Sequence, residues 1–345
     1  MARFTNAFIL LFAAYAAMPL LNAQDPRILE KAKQGDAKAQ YSLGSYYEKE
    51  RNTTEAKNWY RKAADQGNAE AQFHLGLIYY RDNDTENDAE AVSLFRKAAD
   101  QGLTSAQYCL ARCYSEGDGV EKDLAEAEKW YCKAAEKNSP EAQFDLGDRF
   151  SRGQGVRQNY AEAAKWYRKA AERGNVTAQE TLALCYAGGE GVERNLAEAA
   201  KWHRKAAEQG DLIAQINLGA CYYEGLGVKK NLAEAVKWYR KALEYNSDDV
   251  EDYEMYAVVL NETIGRIGEC YEQGDEKLKK NQKEAVKWYR KAATKGDVGA
   301  QYRLGLCYEQ GKGVQKDSTE AVKWYRKAAE QGHKGAKQAL QKIRK

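Results

Sequence analysis

The stretch AEAAKWYRKAAERG at residues 161–174 returns along the chain with a fixed step. Its tryptophan marks the interval: Trp130, Trp166, Trp202 and Trp238 stand 36 residues apart, and Trp288 and Trp324 repeat the spacing. A constant period of this length is the signature of a stacked-repeat solenoid, where each unit buries its apolar face only against its neighbours. Working outward from the tryptophan, each unit reads as two helices. Helix A carries Ala-Gln-aromatic-x-Leu-Gly-x-x-Tyr, as in Ala39 to Tyr47, Ala71 to Tyr79, Ala142 to Phe150, Ala214 to Tyr222 and Ala300 to Tyr308. A Gly-x-Gly-Val turn follows in five units, beginning at Gly117, Gly153, Gly189, Gly225 and Gly311.

Helix B opens on Asp123, Asn159, Asn195, Asn231 or Asp317, short side chains whose oxygen accepts from the free amides of a first helical turn. It closes before Gly67, Gly102, Gly174, Gly210, Gly296 or Gly332, where glycine takes a left-handed cap at little cost. This predicts an all-α, right-handed α/α superhelical solenoid of about eight helix pairs over residues 36–331. Residues 24–35 read as an N-terminal cap, with 26–34 like the tail of a helix B, and 332–345 as a basic capping helix. The seventh unit carries an insertion at about 247–264, which either extends helix A or adds a short helix. The first two units lack Gly-x-Gly-Val, and the second has the acidic loop Asp82 to Asn87 instead.

Composition narrows the function classes. Of 345 residues, 43% are apolar, 30% are charged and only 3 are proline, which fits a helical repeat. The 54 basic and 51 acidic residues are interleaved along the sequence, so no nucleic-acid footprint is expected. The N-terminus differs from the rest: Arg3, the apolar run Ala7 to Leu21, then Ala23 before a polar break describe a secretory signal peptide over 1–23. The run is too short for a spanning helix. A secreted or periplasmic chain with no stable membrane insertion after cleavage is the expectation.

These motifs, taken together over roughly 36–345, resemble the Sel-one-like repeat family, a relative of tetratricopeptide repeats. The resemblance implies an adaptor that binds a protein or peptide; the residue patterns themselves point to no cofactor, no metal and no catalytic residue. Its alternative is a cell-wall-associated hydrolase, since some secreted relatives are discussed as β-lactamase-like. That chemistry uses a Ser-x-x-Lys nucleophile, and no serine here has lysine three residues on.

Candidate contact residues come from comparing units within the chain. Three helix A positions vary freely at spacings of three and four, so they share one face. On it lie Ser42, His74, Leu77, Arg112, Asp145, Asp148, Arg152, Thr181, Asn217, Arg266, Glu269 and Arg303. The alternative is a merely solvated stripe. The recurring Gln40, Gln72, Gln107, Gln143, Gln179, Gln215 and Gln301 either pair with an extended partner backbone or tie turns together. Five cysteines (Cys113, Cys185, Cys221, Cys270, Cys307) share one slot before the helix A aromatic and read as small buried residues. A bridge from Cys132 to Cys109 or Cys113 stays open. His203 stands where other units have tyrosine and reads as its packed substitute.

Overall fold

A computed structural model describes residues 26–81, 85–244 and 250–343. The expected signal peptide, the centre of the acidic loop and the start of the insertion (245–249) lie outside the described residues. Among the described residues every regular element is a helix, and the chain divides into two compact units, Met1–Ala178 and Gln179–Lys345.

In the first unit α1 (Pro26–Lys33) precedes the pairs α2 (Ala37–Lys49) with α3 (Thr53–Asp65) and α4 (Ala69–Arg81) with α5 (Thr85–Asp100). Next come α6 (Thr104–Glu116) with α7 (Leu124–Glu136) and α8 (Pro140–Arg152) with α9 (Tyr160–Glu172). After α10 (Val176–Gly188) and α11 (Leu196–Glu208), the second unit pairs α12 (Leu212–Glu224) with α13 (Leu232–Ala242) and α14 (Val250–Gln273) with α15 (Gln282–Thr294). It ends with α16 (Val298–Gln310), α17 (Ser318–Glu330) and α18 (Lys334–Ile343). Each member of these pairs packs along its partner, giving an all-α solenoid class of paired helices. The insertion lengthens helix A: α14 runs 24 residues where the other helix A elements run 13.

Caps set the helix ends. Asp123, Asn159, Asn195, Asn231 and Asp317 each accept from first-turn amides of helix B. A second set at the start of helix A carried no flag in the sequence pattern: Asp36, Asn68, Ser139, Asp211 and Asp297 accept from the amide three residues on. The second glycine of the turn has a contact role as well as a backbone one. A Cβ on Gly227 or Gly313 would overlap the carbonyl of Leu196 or Gln282, so the turn lies directly on the start of the preceding helix B.

The core is deeper at tyrosine than at tryptophan. Tyr60, Tyr239, Tyr289 and Tyr325 have no solvent exposure, whereas Trp130, Trp202, Trp238 and Trp324 keep a small exposed edge and Trp59, Trp166 and Trp288 are only half-buried. The helix A glycine explains this. An added Cβ on Gly219 or Gly305 would stand 2.6 Å from the ring of Tyr239 or Tyr325, so removal of the side chain opens the slot the ring fills. Burying such a ring stabilises by roughly 1.5–3 kcal/mol. The tryptophan lies at the layer edge, and the lysine three residues on covers its outer face, with Lys133 3.8 Å from the Trp130 centroid and Lys169 3.8 Å from Trp166. The Trp-Tyr-x-Lys motif is therefore an edge ring, a deep ring and a cationic cover.

The glutamines tie the layers together. Gln40, Gln72, Gln107, Gln143, Gln215 and Gln301 are buried and donate to the carbonyls of Ala32, Ala64, Ala99, Ala135, Ala207 and Ala293. They are internal struts, not groups offered to a partner backbone. Ala32 on α1 fills the same role as the helix B alanines. All seven cysteines are free, and burial pushes the Cys185 and Cys307 thiols up to about 11 and Cys270 to about 12.

Candidate functional site

The expected helix A face is not evenly solvated. His74, Leu77 and Arg112 are buried. Ser42 turns its hydroxyl to the carbonyl of Lys38 on its own helix. Four polar clusters form instead.

The first centres on Glu48 of α2. It accepts from the Tyr60 hydroxyl at 2.7 Å, faces His74 Nδ1 at 3.2 Å and stands 3.8 Å from Arg81. Burial pushes its carboxyl up, but His74, Tyr60 and Arg81 together outweigh that and hold it below the usual range. His74 also stacks on Tyr60, with centroids 5.3 Å apart.

The second lies on α6, α7 and α8 and gathers four of the expected residues. Arg112 is only 8% exposed and grips Glu116 through Nη2 at 2.7 Å and Nε at 3.2 Å. On α8, Asp148 pairs with Arg152 at 3.1 Å in solvent. Asp145 is half-buried, with the hydroxyls of Tyr108 and Tyr131 hydrogen-bonded to it. Burial pushes its carboxyl up to about 6, against the pull of Arg112 and the two tyrosines and with a small push from Asp148. Behind it Arg149 is buried, donating to the Leu124 carbonyl at 2.9 Å and Ser115 at 3.2 Å. Tyr108 and Tyr131 were missed because the sequence pattern assigns both to the repeat core.

Two arrangements stand in the second unit. In one, Glu180 takes the place of the helix A aromatic and His203 that of the helix B tyrosine, and the two meet at 2.7 Å. Asn217 donates to the other Glu180 oxygen at 2.7 Å, so the double departure is self-compensating and His203 is packed as expected. Thr181 beside it is half-buried. In the other, Arg303 bridges Glu269 at 2.8 Å and Glu272 at 3.1 Å. Tyr289 donates to Glu272 at 2.6 Å and Tyr223 to Glu269 at 3.1 Å. Arg266 is exposed and lies over the Tyr223 ring. Arg266, Glu269, Tyr289 and Arg303 line an open cleft of about 600 Å³ whose rim includes Val258 on the lengthened α14. Glu272 and Tyr223 share one signal: both follow the helix A aromatic, where other units place Glu48, Ser151 or Glu309 under a tyrosine hydroxyl.

Among the described residues no group of three or more His, Cys, Asp or Glu is placed to hold a metal ion. Nor is any described helix long and apolar enough to cross a membrane.

Helix pairs with a glycine turn, a glutamine strut and a buried tyrosine slot define a tetratricopeptide-like helical repeat, a non-catalytic fold whose members mediate protein–protein interactions. The Sel1 repeat matches residues 37–68, 69–103, 104–139, 140–175, 176–211, 212–244, 265–297 and 298–333, and the chain belongs to the Sel1 repeat family. It is similar to the crystal structure of c5321, a protective antigen present in uropathogenic Escherichia coli strains displaying an SLR fold. The identity is 35% and the TM-score 0.62, over 94% of this chain and 82% of that one. A Sel1 repeat protein from Oxalobacter formigenes is 29% identical with a TM-score of 0.58, over 99% and 95% of the two chains. No curated protein matches.

Proposed function

We propose that this protein is an exported scaffold that holds a protein or peptide against its helix A face, the side that stacked helix pairs make concave. The observation that carries the proposal is the Asp145 carboxyl, held among Tyr108, Tyr131 and Arg112 without full compensation for its burial. A partner's lysine or arginine entering beside it relieves that cost, and the exposed Asp148–Arg152 pair at the edge sets register more than affinity. Tyrosine offers area with little conformational freedom to lose, as binding surfaces favour.

The test is selection of peptides from a displayed library on the wild-type protein, followed by anisotropy titrations. Asp145→Asn is expected to weaken the selected peptides by about tenfold, the usual size of losing a charged hydrogen-bond partner, with circular dichroism unchanged. Peptides that bind the variant equally well remove this face from the function. Charge reversal at Arg112 is a poor test, because the buried guanidinium would become a carboxylate beside Glu116.

Export rests on the apolar run Ala7 to Leu21 and the break after Ala23. It is supported by the similarity to a protein described as a protective antigen. Secretion or periplasmic release with a mature N-terminus at Gln24 is expected. A chain that retains Met1 in the cytoplasm of a secretion-competent host contradicts it.

A further inference from the structure

The second unit carries a basic cleft that has no part in the helix A face. It is built from helix B elements α11 and α13 and from the loops before α13 and α15. Its volume is about 600 Å³, and five cations line it: Arg204, Lys229, Lys230, Lys237 and Lys277. Only Glu208 and Glu234 oppose them. The excess of three positive charges in this one cleft equals the formal net charge of the whole chain, +3. Basic residues interleaved in sequence are therefore gathered here by the fold.

The loop geometry makes this a fixed feature. The loop before α15 reads GDEKLKKN (274–281), one residue longer than the Gly-x-Gly-Val loops. Asp275 folds it, accepting from the amides of Lys277 at 2.8 Å and Leu278 at 2.6 Å. Its other oxygen accepts from the Leu232 amide at 2.6 Å, at the start of α13. A carboxylate thus replaces the usual glycine contact and pins Lys277 at the mouth of the cleft. The Lys229 and Lys277 side chains are exposed, and neither pairs with a carboxylate among the described residues. The floor is aromatic: Trp238 is mostly buried, and the Tyr222 hydroxyl accepts from Arg204.

We propose that this cleft binds an acidic peptide segment of a partner protein. Lys229 and Lys277, exposed and unpaired beside an aromatic floor, match carboxylate side chains on an extended chain. The two glutamates within the lining favour a peptide over a nucleic acid. A uniform polyphosphate meets repulsion from Glu208 and Glu234, whereas a peptide can place a donor beside each.

The experiment titrates the full mature chain against a fluorescein-labelled Glu-Gly repeat peptide of about twelve residues, at low salt of about 50 mM, where surface charges are least screened. A Gln-Gly isostere and an oligothymidylate of equal length are the comparison arms. The acidic peptide is expected to bind at least about tenfold tighter than the isostere and to lose about tenfold by 0.5 M salt. The same loss is expected in Lys229→Glu/Lys277→Glu, and roughly threefold in Lys229→Ala/Lys277→Ala, with helicity unchanged in both. Asp145→Asn keeps this binding, which separates the cleft from the helix A face. Equal affinity for the isostere, or full retention by both double variants, overturns the proposal. Tighter binding of oligothymidylate overturns the assignment to a peptide.

Discussion

Asp145→Asn tests the electrostatics of the α6–α8 cluster directly. The substitution keeps the side chain's shape and leaves an oxygen for the Tyr108 and Tyr131 hydroxyls, but removes the charge whose burial is uncompensated. The carboxyl rises from its ordinary 3.8 to about 6 in the folded protein. A shift of that size corresponds to roughly 3 kcal/mol between protonation states, and partial solvent access reduces it to about 1–2 kcal/mol. The sign follows from linkage: the folded state holds the proton more tightly than the unfolded chain. The stabilisation is fully present below about 4 and lost as pH rises through about 6. Asparagine imitates the protonated form at every pH. The variant should therefore match wild type at about pH 4 and exceed it by about 1–2 kcal/mol above pH 7. Calorimetric and urea unfolding across that range measures it, comparing the same transition in both proteins because stacked repeats need not unfold as one unit. A difference independent of pH, or a variant weaker than wild type at neutral pH, refutes the reasoning.

Two further contrasts, each between a pair of variants, follow from the tyrosine slot and the turn. Tyr60→Phe strips Glu48 of its 2.7 Å donor and is expected to cost about 1–3 kcal/mol in urea unfolding, the usual penalty for removing one partner of a part-buried carboxylate. Tyr239→Phe is expected to be neutral or slightly stabilising, because the Tyr239 hydroxyl is buried without a hydrogen-bond partner. Gly313→Ala combines a φ of +71° with overlap of the Gln282 carbonyl and should cost about 3 kcal/mol or more. Gly174→Ala has φ +90° but open space around it, so only the backbone cost of about 1–2 kcal/mol is expected. Equal losses at the two glycines would show that the Gly313 contact contributes nothing.

The repeat made much of the fold legible, because one motif quoted several times carries more information than any single helix. The helix B caps, the left-handed glycines and the cysteine slot, buried at all of its five positions but Cys185, could be read from spacing. Tyrosine and tryptophan could not be ranked that way, since both recur with the same period. Their order depends on the facing glycine, which is a contact across two helices. The same limit applied to the candidate face. Spacings of three and four place Arg112 and Asp145 on one stripe, but they do not say that Tyr108 and Tyr131 close over Asp145. The basic cleft was less legible still, for its five cations span residues 204 to 277 and come together only through α11, α13 and the Asp275 loop.

Departures from the repeat divide by whether the structure absorbs them. Glu180 and His203 each break the pattern, yet they meet each other, and Asn217 satisfies the remaining oxygen. Such a pair keeps a layer packed and leaves nothing for a ligand to gain. Asp145 is a departure too, an acid on a stripe that carries His74, Cys109, Asn217 and Arg303 in other units. Here the compensation is incomplete, and the carboxyl remains at about 6. Lys277 is a third kind, a loop residue that Asp275 fixes in place without neutralising. Uncompensated charge held in a rigid setting costs the free protein something that a complementary partner recovers on binding, whereas a compensated pair does not. The binding surfaces should therefore be sought at Asp145 and at Lys229 and Lys277, and not at the more conspicuous buried histidines.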